Sequence, residues 1–312
     1  MNEFQLIDLL TRSLPGHPAL IAGPGDDCAV LDLGLPGQFL LFKTDAVVQG
    51  IHFAADTPPE KIGHKALARC LSDIAAMAGT PTAALVTLAL PRPFDPQHIA
   101  AIYAGMNELA RRCQVAIAGG ETTTNPERLL LSIALVGTVP QTTLVRRAGA
   151  RPGDAIFVTG ELGGSLAGRH LEFEPRLAEA RWLAEHFAPH AMIDLSDGLA
   201  GDLRHLLRPC QLGAELLTTA IPISRAARLR ARAHLSVKPP LEAALTDGED
   251  FELLFCLSAP QAVPLLDAWK KQFPELRLSC IGKITAAPGL KLRDKTGVRL
   301  SELTGYAHFN KA

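Results

Sequence analysis

Carboxylates placed at the ends of apolar runs constrain this chain more than any other feature. Four clusters carry them: Gly25-Asp26-Asp27, Thr44-Asp45, Asp194-Leu195-Ser196-Asp197-Gly198 and Asp247-Gly248-Glu249-Asp250. Most adjoin apolar stretches such as Phe39-Leu40-Leu41-Phe42 and Ala191-Met192-Ile193. A buried acid is costly to leave unpaired, so a fold that gathers these strand ends must supply cations. Hard cations such as Mg2+ take oxygen ligands and often bridge carboxylates to substrate phosphates. The pattern points to a metal-dependent site that handles phosphate.

Composition narrows the class. At 312 residues the chain is long for one core, and two domains are expected. With 47% hydrophobic and 20% charged residues it reads as globular rather than disordered. A formal net charge of -1 gives no support to a nucleic-acid partner, which needs a basic face. No apolar run reaches about 18 residues, so no membrane span is expected. Met1-Asn2-Glu3-Phe4 lacks the basic and apolar regions of a signal peptide. The six cysteines, Cys28, Cys70, Cys113, Cys210, Cys256 and Cys280, show no zinc or redox spacing. They read as small buried apolar side chains in a reducing cytoplasm.

Residues 1–138 alternate apolar strands with amphipathic helices. Strands are expected at 30–31, 39–42, 84–90, 115–118 and 129–139. One helix is expected over 59–78, with Pro59 near its start and Gly79 just past its end, and another over 96–113. The stretch 140–154 holds Gly149, Pro152 and Gly153 and reads as a junction. Beyond it, strands at 155–158, 192–193, 251–257 and 276–281 accompany helices at 176–187 and 199–207. Both halves mix helix and strand. An α/β or α+β architecture is therefore expected, divided into domains at 1–139 and 140–312.

Each motif also has a purely structural reading. Asp26-Asp27 after Gly25 suits a turn. Thr44-Asp45 suits a strand end or a helix cap. Asp73 is sharper. Within Leu71-Ser72-Asp73-Ile74-Ala75-Ala76-Met77-Ala78 it has almost no polar company, so it needs a partner or a metal unless its face is exposed. The glycines of Gly119-Gly120-Glu121-Thr122-Thr123 either let backbone N–H groups cradle a phosphate or form a tight turn. Ser196 or Asp197 suits the cap of the following helix, whose N-terminus would equally receive a metal-bound phosphate. Arg146-Arg147 suits phosphate, although a solvated basic pair is the commoner arrangement. His52, just beyond Thr44-Asp45, is either structural or part of the site. The chain has no Gly-Lys-Ser/Thr phosphate loop, no protein-kinase signature and no dinucleotide fingerprint.

Together these segments resemble the thiamine-monophosphate kinase family, within the superfamily that includes aminoimidazole ribonucleotide synthetase and selenophosphate synthetase. The resemblance runs in family order over nearly the whole chain. It rests on Gly25-Asp26-Asp27-Cys28-Ala29, on Thr44-Asp45 with Gly50-Ile51-His52-Phe53, and on Lys65-Ala66-Leu67-Ala68 with Leu71 to Met77. It continues through Gly119 to Thr123, Arg147 to Asp154, Ile193 to Leu199, Gly248 to Leu253, and Gly305-Tyr306-Ala307-His308-Phe309. Each motif is weak alone and the set is specific.

The resemblance implies a two-domain architecture like that of aminoimidazole ribonucleotide synthetase. An N-terminal mixed sheet with helices would form the interface of a homodimer, and a C-terminal α/β domain would follow. It implies transfer of the γ-phosphoryl group of ATP to thiamine monophosphate, assisted by Mg2+ and giving thiamine diphosphate. By the same resemblance Asp27, Asp45, Asp73 and Asp194 are catalytic, and with Thr44, Glu121 and Asp197 they would hold Mg2+. Gly119, Gly120, Arg147 and Ser196 would contact ATP. His52, Glu249 and Tyr306 would line the acceptor site. Phosphoryl transfer needs positioning and charge neutralisation more than a nucleophilic side chain, which suits an acid-rich set.

The chain also departs from the family pattern. Glu121 stands where Asp is usual, Gln49 where Glu is usual and Asp247 where Gly is usual, and the stretch 160–175 is short. Lys43 replaces a small hydroxyl residue. Facing inward, its ammonium would neutralise a carboxylate of the cluster. Strand alternation counsels caution about which side it faces, and the usual solvation of lysine favours the outward side. The departures leave room for a different acceptor within the superfamily, or for a binder without turnover.

Overall fold

Proline sets where two helices of the first half begin. Pro59 and Pro96 occupy first-turn positions, where a missing N–H costs nothing. At the second of them Asp95 caps the helix by accepting the Gln97 N–H at 2.9 Å. A computed structural model describes residues 3–308, so Met1, Asn2 and Phe309 lie outside the described residues. The first half contains α1 (Glu3–Thr11), β1 (Leu20–Ala22), β2 (Ala29–Leu31), β3 (Gln38–Val48), α2 (Pro59–Ala76), β4 (Thr80–Leu90), α3 (Pro96–Arg112), β5 (Ala116–Thr124) and β6 (Leu130–Pro140). The second contains β7 (Ala155–Thr159), α4 (Leu177–Phe187), β8 (Ala191–Asp194), α5 (Leu199–Leu207), β9 (Gly213–Leu217), α6 (Arg225–Arg232) and α7 (Pro240–Thr246). It ends with β10 (Leu253–Leu257), α8 (Ala262–Gln272), β11 (Leu278–Thr285), β12 (Gly289–Asp294) and β13 (Gly297–Leu300).

The strands form two mixed sheets, an α/β arrangement. The six-stranded sheet runs β1-β2-β3-β6-β4-β5 and the seven-stranded sheet β13-β12-β9-β11-β7-β10-β8. In the first sheet β4 and β5 are parallel and the other pairs antiparallel. Alternation along β3 and β4 sends Leu41, Val47, Ala84, Val86 and Leu88 into the core under α2. It sends Phe42, Thr44 and Leu85 to the other face, where Phe42 and Leu85 are 47% and 50% exposed. Among the described residues no helix is long and apolar enough to cross a membrane.

Helix α2 is the hinge of the architecture. It packs on β3, β4 and β6 on one side and on α4 and β8 of the second half on the other. Thirteen of its eighteen residues are buried, so its polar side chains must find partners inside the protein. Against α3 it packs backbone to backbone: a Cβ on Gly63 would overlap the Ile102 carbonyl, and one on Gly105 would overlap that of Glu60. The left-handed residue after α2 is Ala78, at φ 58°, not Gly79. Gly79 is small because Leu41 and Ile74 crowd the space of a side chain.

One core runs through both halves and includes Leu67, Leu71, Phe157, Met192, Phe255 and Trp269. A second lies on the far face of the seven-stranded sheet, with Ile156, Val158, Ile193, Leu203 and Leu254. Each fully buried Leu or Ile in them contributes about 2 kcal/mol. The cysteines depart from the sequence expectation in part. Cys28, Cys70 and Cys256 are buried, Cys113 and Cys210 are half-buried, and Cys280 is exposed.

Candidate active site

Helical spacing builds the floor of the site. Lys65, Arg69, Ser72 and Asp73 recur along α2 at intervals that place them on one face. Strand alternation adds the walls. On β3, Lys43 and Asp45 share the side of Leu41 and Val47, and on β8 Asp194 shares the side of Met192, which belongs to the core around α2. The loop before β2 brings in Asp26 and Asp27. Asp27, Asp73 and Asp194 are all buried, and each offers an oxygen within 4.8 Å of the others.

Built-in cations meet these acids. Lys43 Nζ lies 2.8 Å from Asp73 and 3.8 Å from Asp45. Arg147 donates to Asp27 at 2.6 Å, and Arg146 to Asp26 at 2.9 Å. Ser72 donates its hydroxyl to Asp194 at 2.5 Å. Lys43 thus faces inward, against the solvated placement that its residue type favours. The reason is its register, which it shares with buried Leu41. Arg146 and Arg147 likewise form ion pairs rather than a solvated basic pair.

The remaining electrostatics favour a further cation. Burial pushes the Asp194 carboxyl up to about 7, reinforced by the charge of Asp27. Burial also raises Asp27, against the pull of Arg147. It raises Asp73 well above the ordinary range, against the pull of Lys43 and with help from Asp45 and Asp194. One oxygen of Asp27 is buried and accepts no hydrogen bond. A buried carboxylate oxygen without a donor, on one of three acids whose oxygens approach within 4.8 Å, fits a hard divalent ion.

A small cavity of about 150 Å3 adjoins this ring, lined among others by His52, Arg69, Ser196, Asp197, Glu249 and Tyr306. Two loops shape it. Glu249 and Phe251 have φ of 53° and 50°, a strained conformation for residues with side chains. Their N–H groups hold it by donating to the Ser196 and Leu195 carbonyls, both at 2.7 Å. The Glu249 carboxylate accepts from fully buried Lys65 at 2.7 Å and meets His170 at 2.8 Å. Although burial disfavours its charge, these partners hold its pKa down at about 2. His52 Nδ1 accepts the Val48 N–H at 3.0 Å, so the ring is neutral with its proton on Nε2. Burial, and then Arg69, lower its pKa to about 4. A larger cavity of about 650 Å3 beside α5 shares Asp197 and Tyr306 with this one.

Not every expected residue joins the ring. Thr44 sits on the opposite face of β3, with its hydroxyl 3.4 Å from Ser132 Oγ. Gly119, Gly120 and Glu121 lie within edge strand β5 rather than in a turn after it, and Glu121 pairs with Thr87. Gly120 is required there because a Cβ would overlap the Val86 carbonyl. Asp197 gathers with Asp202 and His205 rather than with Asp194. Helix α5 begins after Gly198 with no side-chain cap, so neither Ser196 nor Asp197 caps it. Instead Asp202 accepts the Asp197 N–H at 3.0 Å. Sequence reasoning missed Arg69 and Asp202. The helical spacing from Lys65 through Arg69 to Asp73 was the signal for the first.

The family model for the AIR synthase related protein, N-terminal domain, matches residues 25–139, which carry most of this ring. Thiamine-monophosphate kinase of Rhodopirellula baltica is 42% identical over 295 residues, covering 92% of this chain and 89% of that protein. That of Bacillus subtilis is 33% identical over 334 residues, covering 99% and 100%. Among solved structures, AaThiL complexed with AMPPCP and TMP matches with a TM-score of 0.83 at 29% identity, over 99% of this chain and 97% of that one. The fold and its acidic ring therefore define an AIR synthase-related protein. More narrowly, the chain belongs to the thiamine-monophosphate kinase family.

Proposed function

We infer that this chain phosphorylates thiamine monophosphate to thiamine diphosphate with ATP as donor. The observation that carries the reading is the buried ring of Asp27, Asp73 and Asp194 with its undonated oxygen, in a chain that matches kinases of this family nearly end to end. Asp27, Asp73 and Asp194 would hold Mg2+, with Asp45 at the rim and Asp197 on the acceptor side. Bound there, Mg2+ would neutralise phosphate charge and so lower the repulsion between two anionic substrates. The protein's own groups then position the reactants. Arg147, anchored on Asp27, would meet the donor phosphates, and Ser196, on the wall of the acceptor cavity, would reach them from that side. His52, Glu249 and Tyr306 line the acceptor cavity, where the ionised Glu249 and the Tyr306 ring suit a cationic thiazolium. The N-terminal half thus carries most of the metal side through Asp27, Asp45 and Asp73, while Arg147, Ser196, Glu249 and Tyr306 come from the second half and His52 from the first. Six free thiols and an ATP requirement fit a cytoplasmic setting, with no nucleic-acid or membrane partner.

Thiamine monophosphate should be turned over and free thiamine should not, because the ring suits phosphate on both substrates. Mass-spectrometric detection of thiamine diphosphate after incubation with ATP, Mg2+ and thiamine monophosphate tests the reading. Equal or better use of free thiamine in a coupled ADP assay would sink it.

The protein acts as a homodimer through the uncovered face of the six-stranded sheet. There Phe42 lies in register with Val136, and Leu85 with Ala134, and the exposed apolar side chains need a cover. Light scattering should give twice the chain mass for the parent and the single mass for Phe42→Glu combined with Leu85→Glu. A parent that runs as a monomer at micromolar concentration excludes the dimer.

A further inference from the structure

Among the described residues that line the acceptor cavity, Arg69 is the one permanently charged cation. It lies one helical turn before Asp73, so its guanidinium reaches the same side of α2. Two carboxylates hold it without satisfying it. Arg69 Nε is 3.6 Å from Asp45, and its Nη1 is 3.6 Å from Glu249. Both distances exceed a normal N–H···O bond of about 2.7–3.2 Å. The Nε proton is buried and has no acceptor. A guanidinium in this state has donors to offer an anionic group.

The rest of the cavity has the opposite character. Asp197, Asp247 and Glu249 line it, and His52 is neutral because its Nδ1 accepts a backbone N–H. Glu249 is anchored from behind by Lys65, which does not line the cavity. The space is therefore acidic around one cationic corner. A ligand that matches it carries both a positive ring and an anionic group.

We infer that Arg69 receives the phosphate of the acceptor, and that it separates phosphorylated acceptors from their unphosphorylated analogues. The inference rests on the kinase reading above. It adds a binding contact supplied by the chain itself, beside any metal. The donors of Arg69 are close to Asp45, so an acceptor phosphate held there abuts the acidic ring where the donor phosphates arrive.

The test uses the full-length protein carrying Arg69→Met, with Arg69→Lys as a second variant. Binding of thiamine monophosphate is measured by calorimetry without ATP, and KM values are measured for both substrates. Loss of charge-assisted bonds to one anion predicts that Arg69→Met weakens thiamine monophosphate binding on the order of 100-fold. The KM for ATP and the affinity for free thiamine should stay within about twofold, and Arg69→Lys should recover part of the loss. A variant that binds thiamine monophosphate as the parent does, with only a lower melting temperature, shows Arg69 to be a structural tie between Asp45 and Glu249 and overturns the inference alone. A parent that neither binds nor phosphorylates thiamine monophosphate overturns the kinase reading and this inference with it.

Discussion

Asp194→Asn should lower kcat/KM by about 10^2–10^3-fold while leaving the metal-free protein at least as stable as the parent above pH 7. The activity loss follows from removing one charge of a ring that must meet two phosphorylated substrates, a change of the size seen when a transition-state contact is deleted. The stability claim follows from linkage. The folded pKa of Asp194 is about 7, against an ordinary 3.8, because burial and Asp27 oppose its charge. The folded state therefore keeps a proton that the unfolded state loses. Metal-free stability falls as pH rises between about 4 and 7. Asparagine has no proton to lose, and its carbonyl can still accept the Ser72 hydroxyl, so the variant escapes that fall. Melting curves in EDTA at pH 5 and pH 8, beside a coupled ADP assay, check both parts. A variant that melts several degrees below the parent at pH 8, or that retains activity, would make Asp194 structural. Asp27→Asn and Asp73→Asn should differ. Each strips a partner from a cation, Arg147 or Lys43, and should lower the melting temperature as well as activity.

Lys43→Thr should make the rate depend more steeply on Mg2+ and shift the midpoint upward. The ammonium sits 2.8 Å from Asp73 and 3.8 Å from Asp45. Burial opposes its charge, yet these two acids hold its pKa well above the ordinary lysine value. It therefore stays charged at any working pH and occupies part of the negative field that Mg2+ would otherwise neutralise. Without it, two carboxylates lose their built-in counter-ion. The metal-free protein should lose on the order of 2–3 kcal/mol, toward the low end for breaking a buried pair because the side chain is partly exposed. Saturating Mg2+ should restore much of the melting temperature. A Mg2+ titration that overlays the parent curve, together with an unchanged metal-free melting temperature, would show that Lys43 contributes nothing to the ring.

Much of this was legible in the chain. Prolines at 59 and 96 placed the starts of α2 and α3, and the apolar periodicity over 199–207 matched α5 residue for residue. The acids at strand ends pointed to the candidate site, since a carboxylate beside an apolar run has few cheap fates, and Asp27, Asp73 and Asp194 do come together. Other features were not legible. Strand period says that Lys43 and Thr44 point to opposite faces, but not which face α2 covers. That choice put Lys43 among the acids and Thr44 on the uncovered side. From the sequence Gly119-Gly120 suited a phosphate cradle and a tight turn equally well. In the structure they sit inside β5, where the approach of β4 demands a residue without a side chain.

The sequence by itself determined the family and many of the elements, α2 to α5, β3 and β8 among them, because these rest on local spacing and on residue chemistry; it left α1, α6, α7, α8, β1, β9, β12 and β13 unmarked. Only the tertiary structure decided how charges pair. Lys65 meets Glu249 across 184 positions, and Ser72 meets Asp194 across 122. Arg69 acquires its undonated Nε–H from being wedged between Asp45 of one sheet and Glu249 of a distant loop. Such pairings depend on which buried faces meet when two sheets close on one helix, and no local preference of the chain encodes that.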